Sequence, residues 1–399
     1  MKLGFAANFY FLLGSVLVST PAVAVDPGVF DDRIVFGQSA ALDGPAAELG
    51  RGMRDGIVAA FSRINRGGGV RGRRLELKSY DDGYEPERAI ANVERLINED
   101  QVFALIGGVG TPTSNAAQPI AAAAGVPFLA PFTGAESLRD SSLGNVVNLR
   151  ASYEQETEAW ISYLVDGLEL SRIAVLYQDD SFGRAGLDGV RRAMEMRGAE
   201  PVAEGTYMRN TRAVKRSLLK IRKAKPEAVV IVGAYEPSAT FIRLARDLGL
   251  DPLFVNISFV GSSALAEELG DSGAGVIVSQ VVPSPTDTSI PIVAEYRDAL
   301  AALDPSLSPG FVSLEGYISG RLVAAALEAL GPDVTRKGLL DIFATVGSFE
   351  LGGLELSFGP DDNQGLDQVF LTVIDGDGGF ASVERTAPNV PTGANNTGQ

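Results

Sequence analysis

The sequence predicts an α/β protein whose parallel sheets are covered by helices on both faces. Short apolar runs alternate with amphipathic segments from Arg33 onward: "RIVFGQSA" is typical of a strand, and residues 45–65 carry Leu49, Met53 and Ile57 at helical spacing. Residues 105–129 and 230–254 also share the order strand, Gly, Pro with a hydroxyl residue, helix and strand. This similarity fits either any two β-α-β units or two similar α/β lobes. The alternation itself is typical of parallel sheets.

The remaining elements follow in the same rhythm. Further strands are predicted in "RLELKSYDD", "VFALIGG", "VPFLAPF", "RIAVLYQ", "PVAEGTY", "EAVVIVG", "PLFVNI" and "GVIVSQVVP". Helices are predicted over residues 85–100, from Thr111, and over Phe182–Arg197, Thr211–Lys225, Pro237–Leu248, Ile290–Leu303 and 311–331. The stretches "FELGGLELSFG" and "QVFLTVID" are short and hairpin-like, with Gly at the bends.

Composition excludes several classes of function. The 399 residues include no cysteine and no histidine, which removes Ser-His-Asp triads, Cys-His nucleophiles and histidine-ligated zinc. An enzyme would therefore have to use carboxylates, Lys, Tyr or a cofactor. We expect no metal and no cofactor. The net charge of −16 disfavours nucleic acid and anionic membranes as partners. The length is enough for two domains of ordinary size.

The first residues predict export. Residues 1–24 combine Lys2, an apolar stretch around "FYFLLGSVLV" and the small-residue sequence Ala22-Val23-Ala24, which is the pattern of a signal peptide. The alternative, a membrane anchor, needs a longer apolar run. We expect a mature chain that begins at Val25, carries no cysteine for a lipid and is soluble in the periplasm. Residues 386–399 have no apolar pattern and are expected to be a disordered tail.

One Gly-rich stretch, "GGVGTPTSNAAQP" at residues 107–119, lies between a predicted strand and a predicted helix. It is not a P-loop, because no Lys lies between Phe103 and Arg139, and it lacks the third Gly of a dinucleotide fingerprint. Gly110 is expected to allow close backbone approach, and Thr111 is expected to be the N-cap of the helix. Free N–H groups and a hydroxyl suit a small anion such as a carboxylate. The alternative is a cap that serves only its own helix.

From Arg33 to about Ala381 the chain resembles the type I periplasmic solute-binding proteins of ABC importers, in the Leu/Ile/Val-binding (branched-chain amino acid) branch. The order and spacing of several stretches together carry the resemblance. These stretches are "GQSAALDGPAAELGRGMRDGIVAAFSRINRGGGVRGRRLEL", "YDDGYEPERAIANVERLI", "IGGVGTPTS", "GVPFLAPFTGAE", "RIAVLYQDDSFGRAG", "VKRSLLKIRKAKPEAVVIVGAY" and "FVSLEGYISGRLVAAAL".

The resemblance implies two Rossmann-like lobes with parallel sheets, joined by a three-crossing hinge and closing over a ligand. The first lobe is expected at residues 33–149 plus 281–347, and the second at residues 150–280 plus 348–381. In amino-acid binders of the family, the loop matching Gly110 and Thr111 holds the ligand carboxylate. The ligand-binding residues implied for this chain are Leu49, Gly110, Thr111, Phe132, Thr133 and Gly134 in the first lobe, and Phe182, Tyr235, Ser258 and Phe259 in the second.

Two departures from the family pattern concern the ligand. A second hydroxyl for the carboxylate falls on Gly134, and the acid that pairs with a ligand ammonium falls on Ser258. A serine cannot neutralise a buried cation. We therefore expect simple aliphatic α-amino acids to bind weakly and carboxylates without the amine to bind better. Glu236, next to Tyr235, is the nearby acid that could substitute for the missing charge, although an acid at such a turn more often faces water.

The sequence thus predicts an exported, non-enzymatic receptor that captures a small carboxylate-bearing molecule, an amino acid or related organic acid. Its partners would be that ligand and the membrane subunits of an ABC importer, and a monomer is expected. One alternative is a sensor domain that feeds a receptor kinase. Another is a glycosidase using paired carboxylates, for which the candidates are Asp81-Asp82, Asp179-Asp180 and Asp361-Asp362.

Overall fold

The computed structural model describes Met1 and residues 26–383, which form two α/β lobes. Residues 2–24 of the predicted signal peptide, its boundary at Val25, and the predicted tail at residues 386–399 lie outside this part of the chain. No helix within the described residues is both long and apolar enough to span a membrane.

The first lobe is built on a five-stranded parallel sheet in the order β2-β1-β3-β4-β5. The strands are β1 (Arg33–Ala40), β2 (Arg74–Asp81), β3 (Ala104–Ile106), β4 (Phe128–Leu129) and β5 (Val146–Val147). The helices between them are α1 (Ala47–Arg66), α2 (Pro86–Asn98) and α3 (Thr111–Ala123). The strand order reverses beside β1, and ligands of such sheets bind outside the carboxyl ends of the strands at that point.

The second lobe repeats this build with further parallel strands. Its strands in chain order are β6 (Ile173–Gln178), β7 (Ala203–Tyr207), β8 (Ala228–Val232), β9 (Leu253–Asn256) and β10 (Ile277–Gln280). Its helices are α4 (Tyr153–Ile161), which continues as a π-helical turn over Ser162–Gly167, α5 (Ser181–Glu195), α6 (Lys215–Lys223), α7 (Tyr235–Asp247) and α8 (Ser262–Leu269). Residues Ser258–Val260 form a 3-10 turn after β9.

The last part of the chain is divided between the lobes. It comprises α9 (Pro291–Leu303), α10 (Phe311–Leu330), α11 (Arg336–Val346), β11 (Ser348–Glu350), β12 (Glu355–Ser357), β13 (Phe370–Ile374) and β14 (Phe380–Ser382). The resemblance assigns residues 348–381 to the second lobe. In the structure, β11 and β12 form a separate hairpin, because Phe349 packs on Phe343 of α11 with ring centroids 5.5 Å apart. Only β13 and β14 join the second sheet, antiparallel beside β10.

Three chain crossings join the lobes, the number that the resemblance implies: between β5 and α4, between β10 and α9, and between β12 and β13. The third lies after β12 and not at residues 347–348, where the resemblance places it. The first and third crossings run side by side. The backbone N–H of Asn148 donates to Asn363 at 2.7 Å, and that of Gly365 donates to Asn148 at 3.0 Å. These paired backbones form the base of the cleft between the lobes.

In the first lobe, α1 and α10 cross at glycines. A β-carbon on Gly56 would collide with the carbonyl oxygen of Ser313, and one on Gly316 would collide with that of Met53. Both collisions are with backbone atoms, so no flexible side chain could move aside to make room. The close crossing places α10 behind α1 and fixes where the start of α10 meets the cleft.

We predict that Gly56→Ala destabilises the protein by about 1–3 kcal/mol, because overpacking against backbone outweighs the better helix propensity of alanine. Denaturant unfolding monitored by circular dichroism measures the difference. The matched control is Gly144→Ala, since nothing lies within 4 Å of a β-carbon there. Equal stability of the two variants would contradict the proposed packing.

Candidate ligand-binding site

The carboxyl ends of the two sheets face each other across the cleft, and the loops that leave them line it. All ten ligand-binding residues that the sequence predicts lie at these strand ends, at the start of α1 or on the turn after β9, and all are buried. Their role as ligand contacts remains a prediction, but the structure brings them to one place. Five aromatic rings, two threonine hydroxyls and a buried guanidinium are the main groups at this end of the cleft.

The aromatic cluster consists of Tyr84, Phe132, Tyr153, Phe182 and Phe259, each at most 1% exposed. Tyr84 and Phe132 leave β2 and β4 of the first lobe, Phe182 and Phe259 belong to the second, and Tyr153 stands at the first crossing. Phe259 is the centre of the cluster, with its ring centroid 4.5 Å from Phe182, 5.4 Å from Phe132 and 5.8 Å from Tyr84. Because rings of both lobes meet here, the lobes are closed, and the cleft offers a broad apolar surface.

Two further predicted residues meet beside this cluster. The side chain of Leu49 from α1 lies against Gly261, where a β-carbon would collide with it. Burial raises the pKa of Tyr235 to about 12, although a hydrogen bond with the backbone of Glu48 acts in the opposite direction. Tyr235 therefore stays a neutral phenol, and it contacts the start of α1 from the other lobe.

A hydroxyl trio of Thr111, Thr133 and Tyr153 lies at the start of α3. The Oγ1 atoms of Thr111 and Thr133 are 2.6 Å apart, and the hydroxyl of Tyr153 is 3.3 Å from Thr133. The prediction that Thr111 is the N-cap is wrong: the cap position is Gly110, at φ 97°, and no side chain caps the helix there. The Thr111 hydroxyl bonds to Thr133 instead, so it belongs to the cleft.

The two glycines of the predicted site make room for tyrosines. The N–H of Gly110 donates to the carbonyl of Phe132 at 3.1 Å, and the ring that approaches Gly110 is that of Tyr84. A β-carbon on Gly134 would lie 2.5 Å from the ring of Tyr153. The Tyr153 ring thus occupies the space that a side chain at position 134 would need, and its hydroxyl lies beside Thr133.

Beneath Ser258 lies a buried ion cluster of Arg150, Glu156 and Glu315, each at most 3% exposed. Nη2 of Arg150 donates to the Ser258 hydroxyl and, at 3.3 Å, to Glu156, while Glu315 lies 3.7 Å from Nη1. Glu156 also accepts the backbone N–H of Ser258 at 2.9 Å and its hydroxyl at 2.8 Å. Ser258 is therefore joined to an acid and a base that the sequence analysis did not identify.

The charges of this cluster are set by burial and by one another. Burial acts to lower the pKa of Arg150, but the carboxylates of Glu315 and Glu156 outweigh it and the pKa is raised. The guanidinium is therefore permanently charged. Burial raises the pKa of Glu315 to about 7; Arg150 opposes this shift and Glu156 adds to it. Glu315 thus changes its charge near neutral pH.

Five of the six candidate catalytic acids have structural roles. Asp180 caps α5 by accepting the N–H of Phe182 at 3.0 Å, and Asp179 pairs with Arg184. Asp81 and Asp82 accept backbone N–H groups of the turns around them. Asp362 accepts the N–H of Gln364 in a turn of the third crossing. Each accounts for its own local turn or helix end.

Glu236 does not supply the charge missing at Ser258. It bonds to Nε of Arg212 at 2.8 Å. Within residues 26–383, no group of three or more acidic side chains is arranged to hold a metal ion.

Across the mouth of the cleft, Glu85 of the first lobe binds Arg209 and Asn210 of the second. Both nitrogens, Nη2 of Arg209 and Nδ2 of Asn210, lie 2.7 Å from the Glu85 carboxylate. Asn210 also donates to the carbonyl of Gly83 at 3.0 Å. We call this group the rim contact. It holds the lobes together farther out than the aromatic cluster.

We predict that Glu85→Ala shifts the ligand-free protein toward an open form, because the lost bonds contribute about 1 kcal/mol at a partly exposed site, or about fivefold in the open-to-closed ratio. Small-angle scattering should report a larger radius of gyration than for the wild type. Glu204→Ala is the control, since Glu204 pairs with Arg191 at 2.8 Å within the second lobe. Equal radii for the two variants would show that the rim contact does not hold the cleft closed.

Glu315 should make stability depend on pH. Its pKa of about 7 lies above the ordinary 4.5, so between these values the folded protein holds a proton that the unfolded chain has released. Its contribution to stability is therefore greatest at low pH, falls as pH rises to about 7, and is constant above. The free energy of unfolding of the wild type should fall by roughly 1–3 kcal/mol between about pH 5 and about pH 8. We predict that Glu315→Gln abolishes this fall.

Urea unfolding of the wild type and Glu315→Gln at both pH values measures this difference. Glu328→Gln is the control, because the Glu328 side chain is 51% exposed beside Arg71. Parallel pH profiles of the wild type and Glu315→Gln would contradict the expected proton uptake.

Comparison with known proteins places the chain in a family. The family model described as "Periplasmic binding protein" matches residues 33–379. The leucine-, isoleucine-, valine-, threonine-, and alanine-binding protein of Pseudomonas aeruginosa is 24% identical over 300 residues, covering 75% of this chain and 79% of that protein.

Solved structures agree over most of the chain. A possible leucine/isoleucine/valine-binding protein from Rhodopirellula baltica SH 1 has a TM-score of 0.84 and 38% identity, covering 92% of this chain and 98% of that one. A substrate-binding periplasmic protein from Ralstonia solanacearum has a TM-score of 0.83 and 28% identity, covering 88% and 99%. The predicted two-lobed α/β fold and the predicted resemblance are confirmed, and this chain belongs to the periplasmic binding protein family.

Proposed function

We propose that this chain is an extracytoplasmic solute-binding protein that captures a small carboxylate-bearing ligand between its lobes and delivers it to an ABC importer. The observation that carries the proposal is the hydroxyl trio at the start of α3, which joins the aromatic cluster where the Tyr153 ring packs on Phe182, 5.6 Å away. Relatives with comparable coverage are named for binding leucine, isoleucine and valine, which are small carboxylates with apolar bodies. An amino acid or a related organic acid is therefore the ligand class.

In the proposed capture, the ligand carboxylate binds the hydroxyls of Thr111 and Thr133. Helix α3 begins at Thr111, and the first N–H groups of a helix have no partner within it, so its positive end favours an anion. The apolar part of the ligand packs among Phe132, Phe182 and Phe259. Closure of the second lobe then removes both parts from water, which strengthens the polar bonds and buries the apolar surface.

The proposed role requires that the protein meets its ligand outside the cytoplasm. We place the protein in the periplasm, unlipidated and monomeric, where the signal peptide predicted at residues 1–24 would deliver it. The family to which the chain belongs supports this placement. The proposed partners are the free ligand and the membrane subunits of the importer, which would recognise the closed form.

Differential scanning fluorimetry against amino acids and organic acids tests the proposal, since a ligand that binds only the folded form raises its melting temperature. We expect stabilisation by at least one small monocarboxylate. Thr111→Val keeps the shape of the side chain and removes the hydroxyl. It should lower the affinity for that ligand by about tenfold, as expected for the loss of one hydrogen bond to a charged group.

The control is Thr240→Val, because the hydroxyl of Thr240 bonds to the carbonyl of Glu236 on α7, away from the cleft. It should leave affinity unchanged. Stabilisation by no carboxylate in the library, or equal affinity of Thr111→Val and wild type, would contradict the proposed site.

A further inference from the structure

Arg150 has hydrogen-bond donors that the described residues do not use. A guanidinium carries five N–H groups, and the two on Nη2 point to Ser258 and Glu156. Its Nε and Nη1 atoms are buried without any hydrogen-bond partner, and the whole side chain is 0% exposed. Glu315 lies 3.7 Å from Nη1, too far for a hydrogen bond. Three donors are therefore free.

The free donors border the ligand cleft. The central carbon of the guanidinium lies 4.8 Å from the centroid of the Phe132 ring, whose other neighbour is Phe259. Phe132 directly precedes Thr133 of the hydroxyl trio. Burial raises the pKa of Tyr153 in the same trio, and the nearby charge of Arg150 opposes that shift. Arg150 and the hydroxyl trio thus flank one end of the aromatic cluster.

This arrangement favours an acceptor on the ligand. Buried N–H groups without a partner cost free energy, and an oxygen of the ligand would remove that cost. An ammonium group would instead have to share the carboxylates of Glu156 and Glu315 with the guanidinium. The carboxylate of Glu156 is already occupied by Arg150, the backbone and hydroxyl of Ser258, and the hydroxyl of Ser279, so it has little capacity for a second cation.

We propose that Arg150 is the residue that determines ligand specificity, and that the ligand is an organic acid with an oxygen acceptor, as in a 2-oxo acid, where an amino acid has its ammonium group. This inference rests on the proposed function and names its ligand class more closely. The carboxylate binds the hydroxyl trio, the oxo oxygen accepts from Nε and Nη1 of Arg150, and the apolar side chain packs on Phe182 and Phe259.

Matched pairs of ligands test the inference. The two members of a pair share a carbon skeleton and differ only at carbon 2, which carries an oxo group in one and an amine in the other. The pairs are 4-methyl-2-oxopentanoate with leucine, and phenylpyruvate with phenylalanine, each titrated into the wild-type protein by calorimetry. We expect the 2-oxo acid of at least one pair to bind about tenfold or more tightly than its amino acid. Tighter binding of the amino acid in both pairs would overturn the inference and leave the proposed function standing. Binding of neither member of either pair would overturn the ligand class itself, and the inference with it.

A variant separates the role of Arg150 from that of the cleft as a whole. Arg150→Lys keeps the charge but loses the planar donors, so the preference for the 2-oxo acid should fall by about tenfold. The control is Arg197→Lys, since Arg197 is a largely buried arginine of the second lobe that pairs with Glu158 and Asp166, each at 2.7 Å, and contacts neither Arg150 nor the hydroxyl trio. Unchanged preference in folded Arg150→Lys would overturn the role of Arg150, and the wild-type comparison decides the ligand class even if that variant does not fold.

Discussion

The buried guanidinium of Arg150 is the interaction on which the hinge and the cleft both depend. It belongs to the first crossing, and its counter-charges come from different elements: Glu156 from α4 of the second lobe and Glu315 from α10 of the first. Removing one partner of such a buried pair leaves an uncompensated charge and typically costs about 3–5 kcal/mol. The geometry of the crossing is therefore fixed where the lobes must move relative to each other.

The two sheets supply the rest of the site by the same rule. Each ends its parallel strands toward the cleft, so every strand-to-helix turn delivers a side chain to one space. The first lobe contributes hydroxyls, a helix start and two rings, and the second contributes further rings. Phe259 of the second lobe packs against Tyr84 and Phe132 of the first. Closure buries these rings together, while the rim contact of Glu85 with Arg209 and Asn210 holds the outer edge. Burial of the apolar rings and a few polar bonds thus both stabilise the closed form.

Much of the fold was predictable because its signals are local. Helical spacing in Leu49, Met53 and Ile57 predicts α1, and apolar runs between turns predict most of the strands. The family resemblance then implied ten ligand-binding residues, which lie at strand ends, at the start of α1 and on the turn after β9. The N-cap at Thr111 was wrong because Gly110 takes that position at φ 97° and a hydroxyl distant in sequence, on Thr133, binds Thr111 instead. The place of the β11–β12 hairpin depended on its packing against Phe343, which no local pattern reveals.

The parts that the sequence did not predict are contacts between distant residues. Arg150 and Ser258 are 108 positions apart, and Tyr84 and Gln178 are 94 apart. No periodicity indicates that an arginine in "NLRASYEQE" is buried, or that its charge meets Glu315 on another helix. Tyr84 and Tyr153 likewise enter the site only because Gly110 and Gly134 leave space for their rings.

A crystal structure of the protein bound to the carboxylate that raises its melting temperature most tests the central claim directly. The account predicts one ligand in the cleft, with its carboxylate within about 3.2 Å of the Thr111 hydroxyl, a second ligand oxygen at the same distance from Nε or Nη1 of Arg150, and its apolar part against Phe182 and Phe259. A ligand outside the cleft, or one whose amine contacts Glu156 while Arg150 still has free donors, would contradict it.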